Sequence, residues 1–278
     1  MNKLSTEDAV RLLRSDPDRA ALVHDTYLDT DLGQAAERFA GSGEFAAVLK
    51  VLGPAVEGAV VMDLGAGNGM ASRAFALQGA RCVHAVEPDP SKEIGRGAIE
   101  ITCAGLPVEI HQGFGEAIPL PNASVDLIYT RQVLHHTTNL GQTLRECARV
   151  LRSGGRFLAC REHVVDDAQQ MAEFLAHHPV HQLTGGEGAY TLDAYEQAIV
   201  SAGLTLEKSI DPWASPINTA PAANTVEEIA DFPRKILRSR FGEMGARLAA
   251  IPWIRALVWR RLRRPRPGRL YSFFASKP

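Results

Sequence analysis

The run Val60-Val61-Met62-Asp63-Leu64-Gly65-Ala66-Gly67-Asn68-Gly69 constrains the fold of this chain more than any other feature. An apolar stretch ends in an acid and then breaks into three alternating glycines. Such a run reads as a buried parallel strand handing over to a tight turn, where bare backbone admits a ligand. A regular alternation continues from it. Strands are expected at 59–64, 82–87, 108–111, 125–130 and 156–161, with helices at 69–78, 91–103 and 140–151. Several strands are short, largely apolar runs, as expected where both faces of a parallel sheet are covered. The pattern predicts a doubly wound α/β sheet. Upstream, 5–30 reads as a short amphipathic helix broken near Pro17, and 34–52 as a second helical stretch. Downstream, Thr191 opens a helix through Ala202 that Gly203 caps, and 204–210 and 270–275 read as strands.

Composition excludes several classes. A chain of 278 residues buries roughly 75% of its unfolded surface and needs no disulfide or metal staple. Cys82, Cys103, Cys147 and Cys160 form no Cys-x-x-Cys pair, which fits buried reduced thiols in a cytoplasmic protein. The first residues lack the apolar core of a signal peptide, and no apolar run of about 18 residues exists. The net charge of −2 hides an asymmetry: 234–269 contains twelve Lys or Arg against the single acid Glu243. That segment therefore carries +11 and the remainder −13. It mixes Trp253, Ile254, Leu257 and Trp259 with arginines, and Pro252 is placed to open a helix at 253–263. A solvated helix face, a lid recruiting an anionic substrate and a weak membrane-surface contact all fit it. Nucleic acid does not, because aromatics are few and no separate binding module is present.

Three features suit a nucleoside ligand. Asp63 precedes the first glycine, Gly65 and Gly67 leave room for close approach, and Glu87 ends the next strand. A carboxylate at that strand end accepts bonds from both hydroxyls of a ribose, each contributing about 1.5–3 kcal/mol. A dinucleotide turn needs Gly-x-Gly-x-x-Gly, but here the third glycine comes one position early and Met70 takes its place. An acid before the turn also suits a cationic ligand better than a pyrophosphate.

Residues 59–160 resemble the class I S-adenosylmethionine (SAM)-dependent methyltransferases. The matching segments are Val61 to Gly69, Ala85-Val86-Glu87-Pro88-Asp89, Gly115-Glu116-Ala117-Ile118-Pro119-Leu120, Ser124-Val125-Asp126-Leu127-Ile128, Leu134-His135-His136 and Leu151 to Arg156. The resemblance implies a Rossmann-like seven-stranded sheet with its last strand antiparallel. It implies SAM as cofactor, with Asp63, Gly65, Ala66, Gly67 and Asn68 at the methionine end and Glu87 on the ribose. Phe114 stands where many relatives carry an acid, so it is expected to pack on adenine, with a backbone amide of Gly115 or Glu116 meeting the ring. Arg131 and Gln132 fall in the loop under the sulfonium, although an ion pair with a nearby acid is the competing reading for Arg131.

Arg161 and His163, at the end of the fifth strand, and His136 are the expected catalytic groups. His177, His178, His181, Glu187 and Tyr190 are further candidates to line the pocket, and their spacing matches no zinc pattern. No metal site is expected. An Asn-Pro-Pro-Tyr-type signature is absent after the fourth strand, where Thr130-Arg131-Gln132-Val133 stands. That counts against a DNA amino-group methyltransferase, and the activity expected from the resemblance is methylation of a small-molecule acceptor, at oxygen, in natural-product or glycan biosynthesis. Alternatives are a SAM-binding regulatory or scaffold subunit, or an enzyme acting on a lipid-linked acceptor. The expected layout is a helical cap over 1–52 and a SAM-binding domain over 53–278, carrying a basic helical insertion at about 218–268.

Overall fold

A computed structural model describes residues 4–19, 23, 29–186 and 188–278; Glu187 and part of the expected 5–30 helix lie outside the described residues. Seven strands form one sheet: β1 (Val60–Leu64), β2 (Cys82–Val86), β3 (Val108–His111), β4 (Val125–Arg131), β5 (Leu151–Val164), β6 (Thr205–Ile210) and β7 (Arg269–Ser276). Their order is β3-β2-β1-β4-β5-β7-β6. The first five are parallel, while β7 lies antiparallel between β5 and β6. Every residue of β1 is buried, which explains its continuous apolar run. Alternate residues feed two cores. Met62, Leu64 and Ile128 pack with Leu144, Cys147 and Phe157 on one face, whereas Val61, Leu127 and Tyr129 pack with Phe45, Phe75 and Leu158 on the other.

The chain leaves β1 toward β2 on one side and β4 toward β5 on the other. The crevice between the carboxyl ends of β1 and β4 is therefore where an open α/β sheet places its ligand. The expected 34–52 helix is two helices, Leu32–Ala40 and Gly43–Leu52. Ser42 breaks it, because its side chain caps the second helix by accepting from the Phe45 amide at 3.1 Å. The expected helix at 91–103 shortens to Arg96–Thr102. Ahead of it, the Asp89 carboxylate accepts from the Ser91 amide and the Ser91 hydroxyl from the Glu93 amide, and this local bonding competes with helix.

β5 is longer than expected, 14 residues rather than the six of 156–161. Its end pairs with β7 beyond a bulge between Ala159 and Glu162. At the bulge Arg161 takes φ +61°, and Gln132 in the adjacent loop takes φ +56°. Left-handed backbone at non-glycine residues is uncommon and concentrates where side chains must be re-aimed.

The helix Thr6–Ser15 packs Val10 and Leu13 against Ile94 and Leu183, and Arg11 and Arg14 pair with Glu93. It thus bridges the loop after β2 to the short helix Pro179–Thr184. Between β6 and β7 the chain builds the helices Phe232–Leu248, kinked at Gly242, and Pro252–Leu262. These expose Phe241, Met244, Trp253 and Leu257 among the arginines. Among the described residues no single helix is long and apolar enough to cross a membrane.

Candidate active site

The glycine loop follows directly from β1. Gly65 has φ +68°, and a Cβ there would stand 2.4 Å from Val133 Cγ2. Only glycine therefore lets this loop lie against the loop that follows β4. Gly69 has φ +85°, and its missing side chain makes room for Cys103 and Ile99 beneath the turn. Asp63 is 2% exposed. Its Oδ2 accepts from Ser72 Oγ at 2.6 Å. Burial pushes its carboxyl up to about 6, against the pull of the Ser72 bonds.

Glu87 bridges the two turns: Oε2 accepts from the Gly67 amide at 2.8 Å and Oε1 from the Asp89 amide at 2.9 Å. Burial raises it to about 7, offset in part by those two amides. Two buried carboxyls, neither with a Lys or Arg salt bridge among the described residues, thus flank a loop of open backbone. Such a pair is costly unless a ligand with cationic and hydroxyl groups satisfies it. Asn68 is buried and its Oδ1 accepts from the Met70 amide at 3.4 Å. Ala66 packs with Ala85, Ile99 and Cys103, so it contributes backbone to the loop and apolar contact beneath it.

Phe114 is 62% exposed beyond β3, an apolar ring open to a flat partner. A Cβ at Gly113 would strike Pro119 at 2.6 Å and one at Gly115 would strike Thr143 at 2.7 Å, so the segment holding Phe114 is tightly packed beneath it. The Glu116 side chain has another task. Its Oε1 accepts from the Thr138 amide at 2.7 Å, the Thr138 hydroxyl at 2.9 Å and the Asn139 amide at 3.2 Å. Burial raises the carboxyl, but these donors outweigh it and hold it below the usual range. Glu116 thereby anchors the turn before the helix Leu140–Val150.

Two expectations need correction. The Arg131 guanidinium follows the competing ion-pair reading: Nε and Nη2 donate to Glu44 at 2.6 and 3.0 Å, and Nη1 donates to Gln132 Oε1 at 3.1 Å. Arg161 is likewise committed, its Nη1 donating to the carbonyls of Ile217 and Ala220 at 3.0 and 2.9 Å and lying 3.5 Å from Glu44. The cause is Glu44, 4% exposed, which no sequence motif singles out. Burial raises its carboxyl, but Arg131 and Arg161 together bring it below its ordinary value. A buried acid needs such partners. Arg161 therefore ties the segment Pro216–Thr219 to the end of β5.

A second residue missed by sequence reading is Glu162, fully buried at the end of the β5 bulge. It accepts from the amides of Val133, Leu134 and His135 at 3.0, 3.2 and 3.1 Å, and from His135 Nδ1 at 2.7 Å. Burial raises its carboxyl while the amides pull it back. His135 is thereby structural, a ring that locks its own loop.

His163 donates Nδ1–H to the Gly268 carbonyl at 2.9 Å, which leaves Nε2 with the lone pair. Its ring lies 4.6 Å from that of His135, 4.7 Å from Phe174 and 5.7 Å from His178. His136 stacks 4.2 Å from His135. Burial lowers His163 to about 3 and His136 to about 4, with His135 adding to both. Burial, then His136 and His181, lowers His178 to about 4. All three are neutral at pH 7. His177 lies outside the group, its Nδ1 donating to the Glu173 carbonyl. Tyr190 donates its hydroxyl to the Thr137 carbonyl at 3.1 Å, bracing the histidine loop.

Residues 62–159 match the methyltransferase domain family. The dimethylglycine N-methyltransferase of Parasynechococcus marenigrum is 32% identical over 114 residues, covering 40% of this chain and 40% of that protein. The ubiquinone biosynthesis O-methyltransferase of Agrobacterium fabrum is 29% identical over 156 residues, covering 54% of this chain and 61% of that protein. The chain thus spans about two fifths to three fifths of the length of these relatives. A solved geranyl diphosphate methyltransferase in complex with SAM shares the fold at a TM-score of 0.56 and 16% identity, over 96% of this chain and 95% of that one. The buried carboxyl pair and the Gly65–Gly69 turn lie within the matched stretch: residues 62–159 carry a methyltransferase domain, set in a Rossmann-like seven-stranded sheet.

Proposed function

We propose that the protein transfers a methyl group from SAM to oxygen on a small-molecule acceptor, as a cytoplasmic biosynthetic enzyme. One observation carries this reading: Asp63 and Glu87 are buried carboxyls aimed at an open glycine turn and, among the described residues, hold no cationic side chain. They suit the ammonium and ribose of SAM, with Phe114 as the adenine surface and the backbone of Ala66, Asn68, Gly115 and Gln132 completing the cradle. Bound SAM supplies a methyl group activated on a positive sulfonium.

The chain's own residues must align the acceptor and exclude water. Glu162 fixes the loop carrying His136, Arg161 positions the 216–220 segment, and the helices Thr6–Ser15 and Pro179–Thr184 cap the crevice. His163 presents Nε2 as proton acceptor, with His136 the other candidate. Its low basicity is compatible with this task. An oxygen that has just gained a methyl group is far more acidic than an imidazolium, so its proton passes to Nε2. The oxygen acceptor is supported by the relative named for ubiquinone biosynthesis, while the dimethylglycine relative represents the nitrogen alternative. The basic surface from Arg234 to Arg269 favours an acceptor with anionic character.

The test is transfer of radiolabelled methyl from SAM to a panel of phenols, sugar alcohols and amines. Label should enter a hydroxyl, and His163→Ala should lower kcat by about 100-fold with SAM affinity unchanged. Label entering amines alone would overturn the oxygen assignment. Tight SAM binding without turnover of any acceptor would favour a regulatory subunit.

A further inference from the structure

β3 is the outer strand at one end of the sheet, paired to β2. Strand alternation sends Val83, Ala85, Val108 and Ile110 into the apolar clusters of one face. Cys82, His84, Glu109 and His111 consequently share the other. Parallel register sets His84 beside Glu109 and Val86 beside His111. His84 Nδ1 stands 3.0 Å from His111 Nε2 and 3.3 Å from Glu109 Oε2, and His111 Nε2 stands 3.8 Å from that same oxygen. The ligand atoms of Cys82, His84 and Glu109 all lie within 4.8 Å of one another.

Zinc takes sulfur at about 2.3 Å and imidazole nitrogen at about 2.0–2.1 Å, so neighbouring donors of a tetrahedral shell stand about 3.3–3.6 Å apart. The donors of His84, Glu109 and His111 stand close to that spacing, Cys82 lies within 4.8 Å of His84 and Glu109, and side-chain rotation of Cys82 and His111 toward one another completes the shell. From this juxtaposition we propose that Cys82, His84, Glu109 and His111 form a binding site for a divalent, zinc-type cation on the open face of β2 and β3.

The donor set is the borderline-soft mixture of sulfur, imidazole and carboxylate that zinc accepts. Among the described residues the ion-pair partners of Glu109 are these two imidazoles, with no Lys or Arg among them. The His84 and His111 side chains are 16% and 24% exposed, and that of Glu109 is 63% exposed. The donors are thus walled by protein yet open to an entering ion. Burial, followed by Glu109, holds the Cys82 thiol above its usual range. His84 lies three residues before Glu87, and Glu109 to His111 lead into Gly113-Phe114-Gly115. An ion spanning the two strands clamps the ends to which the proposed function assigns the ribose and adenine contacts.

Cobalt(II) titration of the reduced protein tests this. One equivalent should bind with a thiolate-to-cobalt charge-transfer band and the intense visible bands of a tetrahedral site, and zinc should displace it. Cys82→Ser, nearly isosteric, should abolish the charge-transfer band, and His84→Ala should weaken binding by at least about 100-fold. SAM affinity, followed in parallel, reports the methyltransferase site separately. Absence of a charge-transfer band would overturn the proposal. So would cobalt binding that survives both substitutions but is lost in His178→Ala, because the ion would then sit in the histidine cluster around His163.

Discussion

Asp63→Asn should make the ligand-free protein more stable at pH 8 while removing most of its affinity for SAM. The Asp63 carboxyl is buried, and its rise from 3.8 to about 6 corresponds to roughly 3 kcal/mol at most of destabilisation when the group is ionised. Asparagine keeps an oxygen for the Ser72 hydroxyl and carries no charge. A gain of about 1–3 kcal/mol in urea unfolding is expected at pH 8. The sign follows from the direction of the shift. The native state holds its proton to higher pH than the unfolded chain, so the penalty is absent below about pH 4 and complete above about pH 7. The gain should therefore vanish near pH 4. Loss of the carboxylate facing the ligand ammonium should weaken SAM by about 10–100-fold. A variant both less stable at pH 8 and unaltered in SAM affinity would contradict the role assigned to Asp63.

SAM affinity should also fall steeply on acidification, while the histidines stay silent. Glu87 takes up a proton at about 7 and Asp63 at about 6 in the free protein. If both carboxylates must be ionised to receive the ligand, affinity drops about tenfold per pH unit below 7, and faster below 6. Between pH 8 and pH 5 the expected loss is about 1,000-fold. His136 and His163, at about 4 and 3, are neutral across that range and contribute no slope. Stability of the free protein moves the opposite way, because these same carboxyls favour folding as pH falls from 7 toward 4. Calorimetry from pH 8 to pH 5, with circular dichroism to follow folding, separates the two. A flat affinity profile would mean that neither carboxyl meets the ligand.

The proposed cofactor half of this site can be read along the chain because its chemistry is local. Asp63, three glycines and Glu87 lie at the ends of consecutive strands, so the linear pattern carries the geometry. The parallel strands were legible for the same reason, whereas the antiparallel final strand was implied only by the family resemblance. Arg161 was misread, and the ion-pair partner of Arg131 was not identifiable, because Glu44 sits in a helix remote in sequence, where it looks like an ordinary polar residue. Glu162 was invisible for a related reason: the bulge that turns its carboxylate onto the Val133–His135 amides depends on pairing with β7. The break at Ser42 was a missed capping signal, since a Gly-Ser pair within an apolar helical pattern was read through. Likewise, the Cys82–His84 and Glu109–His111 pairs show no zinc spacing along the chain, because two strands supply one half each.

Titration of S-adenosylhomocysteine into the wild-type protein and into Glu87→Ala tests the central claim most directly. The expected result is micromolar binding to the wild type, no binding of NADH, and affinity weakened about 10–100-fold in the variant. NADH binding without S-adenosylhomocysteine binding, or equal affinity in the two proteins, would contradict it.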